Sequence, residues 1–325
     1  MDVRWGFNNV RIREGDEWKA AFITEFGLWE PLVMFFGLCN SPSTFQRLMD
    51  RKFFDLIRQL WLKIYMDDSN VHTKGSIEHH RSCVRIFLQR CREEKLFLQF
   101  EKCEFEATEI DFLGAVISEN SVRMNPLKTK AIREWPAPTK KKDLQSFIGF
   151  ANYYRRFIQN FSEVALPLNR LTGDVPWDWS SDCQSAFEQI KNIIASDQVL
   201  TMPRDEGQFR VECDASYYAS GAILSQQQSD STWRPIAFAS WTMNPAQRNY
   251  QVYDKEFLAI IHSLTEWRKY LLGTKEPIDI VTDHRNLEYY RQPQNLSRRQ
   301  ADWVAQLMEY DVVLRHRPGR LHAKH

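Results

Sequence analysis

An apolar alternation, Leu62, Ile64 and Met66, runs directly into two adjacent acids, Asp67 and Asp68, and then into Ser69 and Asn70. A period of two puts alternate side chains on one face of a strand, so the run predicts a strand delivering Asp67 into a turn. Neighbouring carboxylates repel and raise each other's pKa, a conflict that a divalent cation between them relieves. An Asp-Asp hairpin turn accounts for the same residues, since Asp is common in turns. The choice between the two depends on where the other acids fall.

The chain of 325 residues suits two or three domains, and its 43% hydrophobic content excludes a disordered tail. It contains no run of 18 or more apolar residues and no signal-peptide pattern, which argues against a membrane or secreted protein. Cys39, Cys83, Cys91, Cys103, Cys183 and Cys213 are scattered, without a CxxC pair, and read as reduced core thiols of an intracellular protein. A net charge of +1 says little, but its distribution is uneven. Arg123, Lys128, Lys130, Arg133, Lys140, Lys141, Lys142, Arg155 and Arg156 face only Glu134 and Asp143 in the same stretch. Such a stretch can track a phosphate backbone or form a solvated helix face.

Along the chain, Ser41-Pro42 reads as an N-cap and first-turn proline of a helix with Phe45, Leu48, Met49 and Phe53 on its apolar face. Ser76 starts a second helix with Val84, Phe87, Leu88 and Cys91 at helical spacing, and short β segments follow from Cys103 to Ser118, broken at Gly114. The region is an α+β module with helices on one face of a small sheet. Phe147, Phe150, Tyr153, Tyr154, Phe157 and Phe161 recur at helical spacing and predict the core of a small bundle. Strands are expected at Phe209–Asp214, Gly221–Gln226 and Pro235–Trp241, then a long helix from Ala246 to Leu272 closed by Gly273. A strand at Ile278–Thr282, a helix capped by Ser297 and a last strand at Val312–Arg315 complete an α/β region with a mixed sheet. Asp214 and Asp283 end two of these strands and Glu256 lies in the helix, so the three carboxylates can converge at one sheet edge. Isolated surface acids remain the alternative.

Asp214-Ala215-Ser216, the run Tyr253-Asp254-Lys255-Glu256-Phe257-Leu258-Ala259-Ile260, and Thr282-Asp283-His284 resemble the three acidic blocks of the ribonuclease H domain of gypsy-class (Metaviridae) long-terminal-repeat retrotransposons. The run from Phe36 to Gln46 resembles the nucleotide-side loop and helix of their reverse transcriptase. Tyr65-Met66-Asp67-Asp68 resembles its catalytic hairpin, and Phe112-Leu113-Gly114 its primer grip. The blocks keep the family's order over essentially the whole chain.

The resemblance implies an α+β palm with the fingers missing (1–122), a helical thumb or connection (123–175) and an α/β ribonuclease H-like domain with a mixed sheet (176–325). It implies an RNA-directed DNA polymerase with RNA–DNA hybrid ribonuclease activity, using two-metal phosphoryl transfer at both sites. Asp2, Asp67 and Asp68 would hold the polymerase metals. Asp214, Glu256 and Asp283 would hold the nuclease metals, with His316 helping product release. Mg2+ is the implied cofactor, with Mn2+ as an alternative. Phe7 would screen the sugar of the incoming nucleotide, and Phe36, Gly37, Tyr65 and Met66 would border it. Phe112, Leu113, Gly114, Lys140, Lys141, Lys142, Arg155 and Arg156 would grip nucleic acid. The implied partners are an RNA template, a DNA primer, RNA–DNA hybrid, deoxynucleoside triphosphates and a second copy of the chain. The implied location is a cytoplasmic virus-like particle or the nucleus, with no membrane.

The sequence departs from the family in places. Phe35 replaces a loop proline, and Ser69-Asn70 is polar where the outgoing strand is usually apolar. Arg317-Pro318-Gly319 resembles the closing loop of the nuclease, whose fourth acid would lie beyond His325, while the fingers would precede Met1. A polyprotein segment cut inside motifs at both ends is therefore expected. An inactive retroelement relic that only binds nucleic acid stands as the alternative.

Overall fold

The alternation at Leu62 to Met66 becomes strand Leu62–Tyr65, paired antiparallel with Asp68–Val71 so that Tyr65 lies opposite Asp68 across the turn. The structure, a computed structural model, describes residues 1–196, 198–283 and 296–317. His284 and the Pro318-Gly319 part of the closing loop lie outside the described residues. The chain divides into two compact units, Met1–Phe112 and Leu113–His325.

In the first unit, helix Ser41–Lys52 buries Phe45 and Met49 and helix Ile77–Glu93 buries Cys83, Phe87 and Cys91. With Phe53, Leu56 and Leu62 these side chains make one core under the hairpin. Ser76 caps its helix as expected, accepting the His79 N–H at 3.2 Å. Ser41 is not the cap of the other helix. Asn40 holds that position, and Ser41 is the first helical residue, its buried hydroxyl donating to the Phe35 carbonyl at 3.1 Å. A small hairpin, Phe22–Thr24 with Gly27–Trp29, had no clear signal in the sequence and keeps its apolar side chains exposed.

The second unit has two cores. Strands Ala115–Ser118, Ser121–Met124 and Val199–Thr201 pair antiparallel. Alongside them helices Pro126–Arg133, Lys141–Tyr153, Leu166–Leu171 and Ser181–Ala195 gather Phe147, Tyr154, Phe157 and Phe161 into the first core. The aromatic run is thus mostly bundle core, with Phe150 partly buried against it and Tyr153 exposed. Helix Ser181–Ala195 lies beyond the boundary drawn at residue 176, yet its Phe187 and Ile190 fill this core, with the Phe147 and Phe187 rings 4.5 Å apart.

The second core lies under a mixed sheet. Its strand order is Trp233–Thr242, Ala219–Gln227, Phe209–Ala215, Ile278–Thr282, Val312–His316. The first three strands are antiparallel, and the last two run parallel to Phe209–Ala215. Phe257, Ile260 and Leu264 of helix Val252–Glu266 pack beneath it, with Trp303 and Leu307 of helix Arg298–Leu307. The continuous helix expected from Ala246 to Leu272 is instead three pieces, Pro245–Arg248, Val252–Glu266 and Arg268–Leu271. Gln251 takes extended backbone between the first two, and Trp267 leaves helical geometry at the second break, its ring only 3% exposed. No Gly or Pro stands at either break.

Candidate active sites

Strand Phe209–Ala215 carries Asp214 to its penultimate position, and strand Ile278–Thr282 runs beside it in parallel, ending one residue before Asp283. Helix Val252–Glu266 crosses beneath and presents Glu256, which is only 1% exposed, whereas Asp214 and Asp283 open to solvent. One ligand oxygen from each of the three acids lies within 4.8 Å of the others. Glu256 is fixed from two sides. Its Oε1 accepts the Ala215 N–H at 3.1 Å, and its Oε2 accepts the Thr282 hydroxyl at 3.4 Å. Burial, aggravated by the charges of Asp283 and Asp214, pushes its carboxyl up to about 8. Three carboxyls this close favour a shared proton or a cation. His316 pairs in register with Thr282 on the neighbouring parallel strand, which puts it at the same sheet edge.

The Asp67-Asp68 hairpin is built differently. Its turn residue Met66 has φ 53°, a left-handed backbone that side-chain-bearing residues adopt at a cost. Gln46, from helix Ser41–Lys52, holds that turn: its Oε1 accepts the Met66 N–H at 2.6 Å and its Nε2 donates to the Ile64 carbonyl at 3.3 Å. The N-terminal residues add to the hairpin edge. The Val3 N–H donates to the Asp67 carbonyl at 2.9 Å, the Ser69 N–H donates to the Met1 carbonyl at 2.8 Å, and Asp2 bridges to Asp68. Partial burial, with Asp67 and Asp2 nearby, raises the Asp68 pKa. The backbone therefore brings Asp2, Asp67 and Asp68 into one neighbourhood. Among the described residues, however, only the trio Asp214, Glu256 and Asp283 has all its ligand atoms within 4.8 Å. Lys102 meets this neighbourhood, with Nζ 3.4 Å from Asp2 Oδ2.

Phe7 is half-buried and touches Phe36 edge-on, with ring centroids 5.0 Å apart, and also Phe45 at 5.8 Å. Phe36, Gly37 and Tyr65 are exposed and Met66 is half-buried. Leu113 and Gly114 form a left-handed pair (φ 52° and 70°), held by the Tyr153 hydroxyl on the Leu113 carbonyl and the Tyr154 hydroxyl on the Gly114 carbonyl. Phe112 is half-buried at the end of strand Glu109–Phe112.

The basic residues part company. Lys140, Lys142 and Arg156 are exposed. Lys141 donates to the Gly173 carbonyl at 2.7 Å, and Arg155 donates to the Ser240 carbonyl, so both make internal contacts. Gln46, Thr282 and Lys102 were not singled out for these contacts in the sequence. Their partners lie 18 to 100 residues away, and no local pattern marks such pairs.

Residues 1–117 match the reverse transcriptase (RNA-dependent DNA polymerase) family, and residues 204–310 match the RNase H-like domain found in reverse transcriptase. The transposon Tf2-3 and Tf2-7 polyproteins of Schizosaccharomyces pombe are each 36% identical to the chain over 324 residues, which is 98% of this chain and 24% of the relative. The chain thus spans about a quarter of the length of these curated relatives. Among solved structures, the foamy viral protease-reverse transcriptase in complex with RNA/DNA hybrid aligns with a TM-score of 0.77 at 20% identity, covering 100% of this chain and 45% of that one. The same viral protein in complex with dsDNA aligns at 0.78 and 21% identity, covering 100% of this chain and 68% of that one. At these identities the likeness speaks for the fold. Among the described residues, no helix is long and apolar enough to cross a membrane.

Proposed function

Because the chain belongs to the reverse transcriptase and ribonuclease H family of long-terminal-repeat retrotransposon polyproteins, we propose that it cleaves the RNA strand of RNA–DNA hybrids at Asp214, Glu256 and Asp283 and extends a DNA primer on RNA at Asp2, Asp67 and Asp68. The convergence of the three nuclease carboxylates within 4.8 Å carries this reading. The donor set suits hard divalent cations, because it is all carboxylate and a cation would offset the burial and the charges of Asp283 and Asp214 that penalise ionised Glu256. A pair of such ions, Mg2+ or Mn2+, supplies a polarised water and offsets charge on the phosphate under attack. The chain's own residues set the geometry. Glu256 is oriented by the Ala215 N–H and the Thr282 hydroxyl, and the solvent-facing Asp214 and Asp283 border the incoming phosphate. His316, at the same edge, helps product release.

At the hairpin, Asp2, Asp67 and Asp68 orient the primer end and the triphosphate. Phe7, braced by Phe36 and Phe45, closes the space a ribose 2′-hydroxyl would need and so selects deoxynucleoside triphosphates. Gly37, Tyr65 and Met66 border the nucleotide. Lys140, Lys142, Arg156 and the Phe112-Leu113-Gly114 turn hold template and primer. The foamy viral protein is known in complex with RNA/DNA hybrid and with dsDNA, which is consistent with such partners.

The test is Mg2+-dependent cleavage of a labelled RNA–DNA hybrid by the whole chain. Wild type should cleave the RNA strand and Glu256→Gln should not; equal cleavage by both would overturn the assignment. Primer extension on RNA with Asp67→Asn as the control tests the hairpin in the same way. A second reading, binding of nucleic acid without polymerisation, is favoured by the Lys102 contact to Asp2 and by the looser grouping of Asp2, Asp67 and Asp68. It requires retained hybrid binding with no extension in either Mg2+ or Mn2+.

A further inference from the structure

Asp214, Gly221 and Ser240 form one rung across three antiparallel strands: Gly221 pairs in register with Asp214 on one side and with Ser240 on the other. The segment Arg155–Glu163, which precedes the nuclease core in sequence, docks on this rung. The Ser240 hydroxyl accepts the Ser162 N–H at 2.9 Å and donates to the Ser162 hydroxyl at 3.0 Å, with Ser162 and Ser240 both buried. The Arg155 guanidinium donates to the Ser240 carbonyl. Asn160 takes a left-handed backbone (φ 53°) that brings its carboxamide oxygen over Gly221, where any Cβ would collide with it. A small polar cavity of about 10 Å3, room for about one water, is lined by Asn160, Glu163, Asp214, Ser216 and Ser220. The Ser220 hydroxyl is 2% exposed and has no hydrogen-bond partner among the described residues. The nuclease acid Asp214 and the helical segment therefore share one wall.

We infer that Asn160 and Ser162 are positioning residues for Asp214: by clamping the Ser240–Gly221–Asp214 rung, the helical segment fixes that carboxylate for cation binding. This rests on the nuclease reading of the triad. Among the described residues neither Asn160 nor Ser162 hydrogen-bonds to Glu256 or Asp283, and a clamp acts through the strands. Strand Phe209–Ala215 pairs with Ile278–Thr282 on its other side only over Arg210–Glu212, so at its Asp214 end the register is held from the Gly221 side. Arg155 belongs to this clamp, which explains why a basic residue expected on nucleic acid lies against the sheet.

The test is a double-mutant cycle in the full chain. Gly221→Ala pushes a methyl group into the Asn160 carboxamide, and Asn160→Gly removes that obstacle while keeping the left-handed backbone accessible. With hybrid cleavage as readout, Gly221→Ala should raise the half-saturating Mg2+ concentration about tenfold, the usual effect of losing an outer-shell support. Adding Asn160→Gly should recover the part of that loss due to the collision, down to the smaller rise shown by Asn160→Gly alone, with melting temperatures showing that all variants fold. Ser162→Ala should raise the Mg2+ requirement in the same direction. Amide exchange over residues 209–215 and 219–227 is the readout that needs no activity: Asn160→Gly and Ser162→Ala should speed exchange at Asp214 and Gly221. Unchanged exchange and an unchanged Mg2+ requirement in the single variants would overturn the clamp, as would failure of the second substitution to rescue Gly221→Ala. If wild type does not cleave, the nuclease reading fails while exchange still decides the clamp.

Discussion

Glu256 Oε1 accepts the N–H of Ala215 at 3.1 Å, so the buried acid of the helix is tied to the residue next to Asp214. A side chain from helix Val252–Glu266 and a backbone group from strand Phe209–Ala215 thereby fix each other before any ligand arrives. Such mutual support holds a catalytic constellation better than loop residues could.

The first prediction concerns pH. The Glu256 carboxyl is raised from 4.5 to about 8 by burial, Asp283 and Asp214. Without divalent cations, the folded chain then holds a proton that the unfolded chain has lost between about pH 4.5 and 8. Stability should therefore fall as pH rises through that window, by up to about 1.4 kcal/mol per pH unit. Denaturant unfolding in chelator at several pH values should show this slope for wild type and a shallower one for Glu256→Gln. Parallel curves for the two proteins would remove Glu256 as the source.

The second concerns the hairpin turn. Gln46→Leu would leave the Met66 N–H and the Ile64 carbonyl without their side-chain partner, costing about 1–3 kcal/mol. Met66→Gly, at φ 53°, should be neutral or stabilising by up to about 1 kcal/mol. Chemical denaturation followed by tryptophan fluorescence separates the two effects.

The third concerns the join between the helical core and helix Ser181–Ala195. Phe147 is fully buried against Phe187 and Trp135, so Phe147→Ala should cost about 3–5 kcal/mol. Calorimetry should show a lowered transition for the second unit; a change below about 1 kcal/mol would mean the site collapses around the smaller side chain.

The fourth concerns Asp279. It is 1% exposed and meets Arg210 at 2.7 Å and Arg315 at 2.8 Å, which ties the three parallel strands together. Asp279→Ala should destabilise by about 1–3 kcal/mol, less than a fully buried pair because both arginines reach solvent. Urea unfolding measures it, and an unchanged midpoint would mean the ion pairs contribute nothing net.

Much of the fold was legible because its signals are local. Ser76, Asn125 and Ser297 cap helices through hydrogen bonds to residues two or three positions on, and the strands at Phe209 and Ile278 show their apolar runs directly. The convergence of Asp214, Glu256 and Asp283 followed from their places at strand ends and on a helix. The interruptions at Gln251 and Trp267 were not legible, since no Gly or Pro marks either position. Helix Ser181–Ala195 went unmarked, and its packing with Phe147 was hidden for the same reason. Nor could charge alone separate Lys142 and Arg156, which are exposed, from Lys141 and Arg155, which serve carbonyls 32 and 85 residues away.

Calorimetric titration of Mn2+ into the whole chain, against Asp214→Asn and Glu256→Gln, tests most directly whether Asp214, Glu256 and Asp283 hold divalent cations. Cation binding at the triad predicts a heat signal with proton release below about pH 8, lost or strongly weakened in both variants. Indistinguishable binding in wild type and both variants would contradict it.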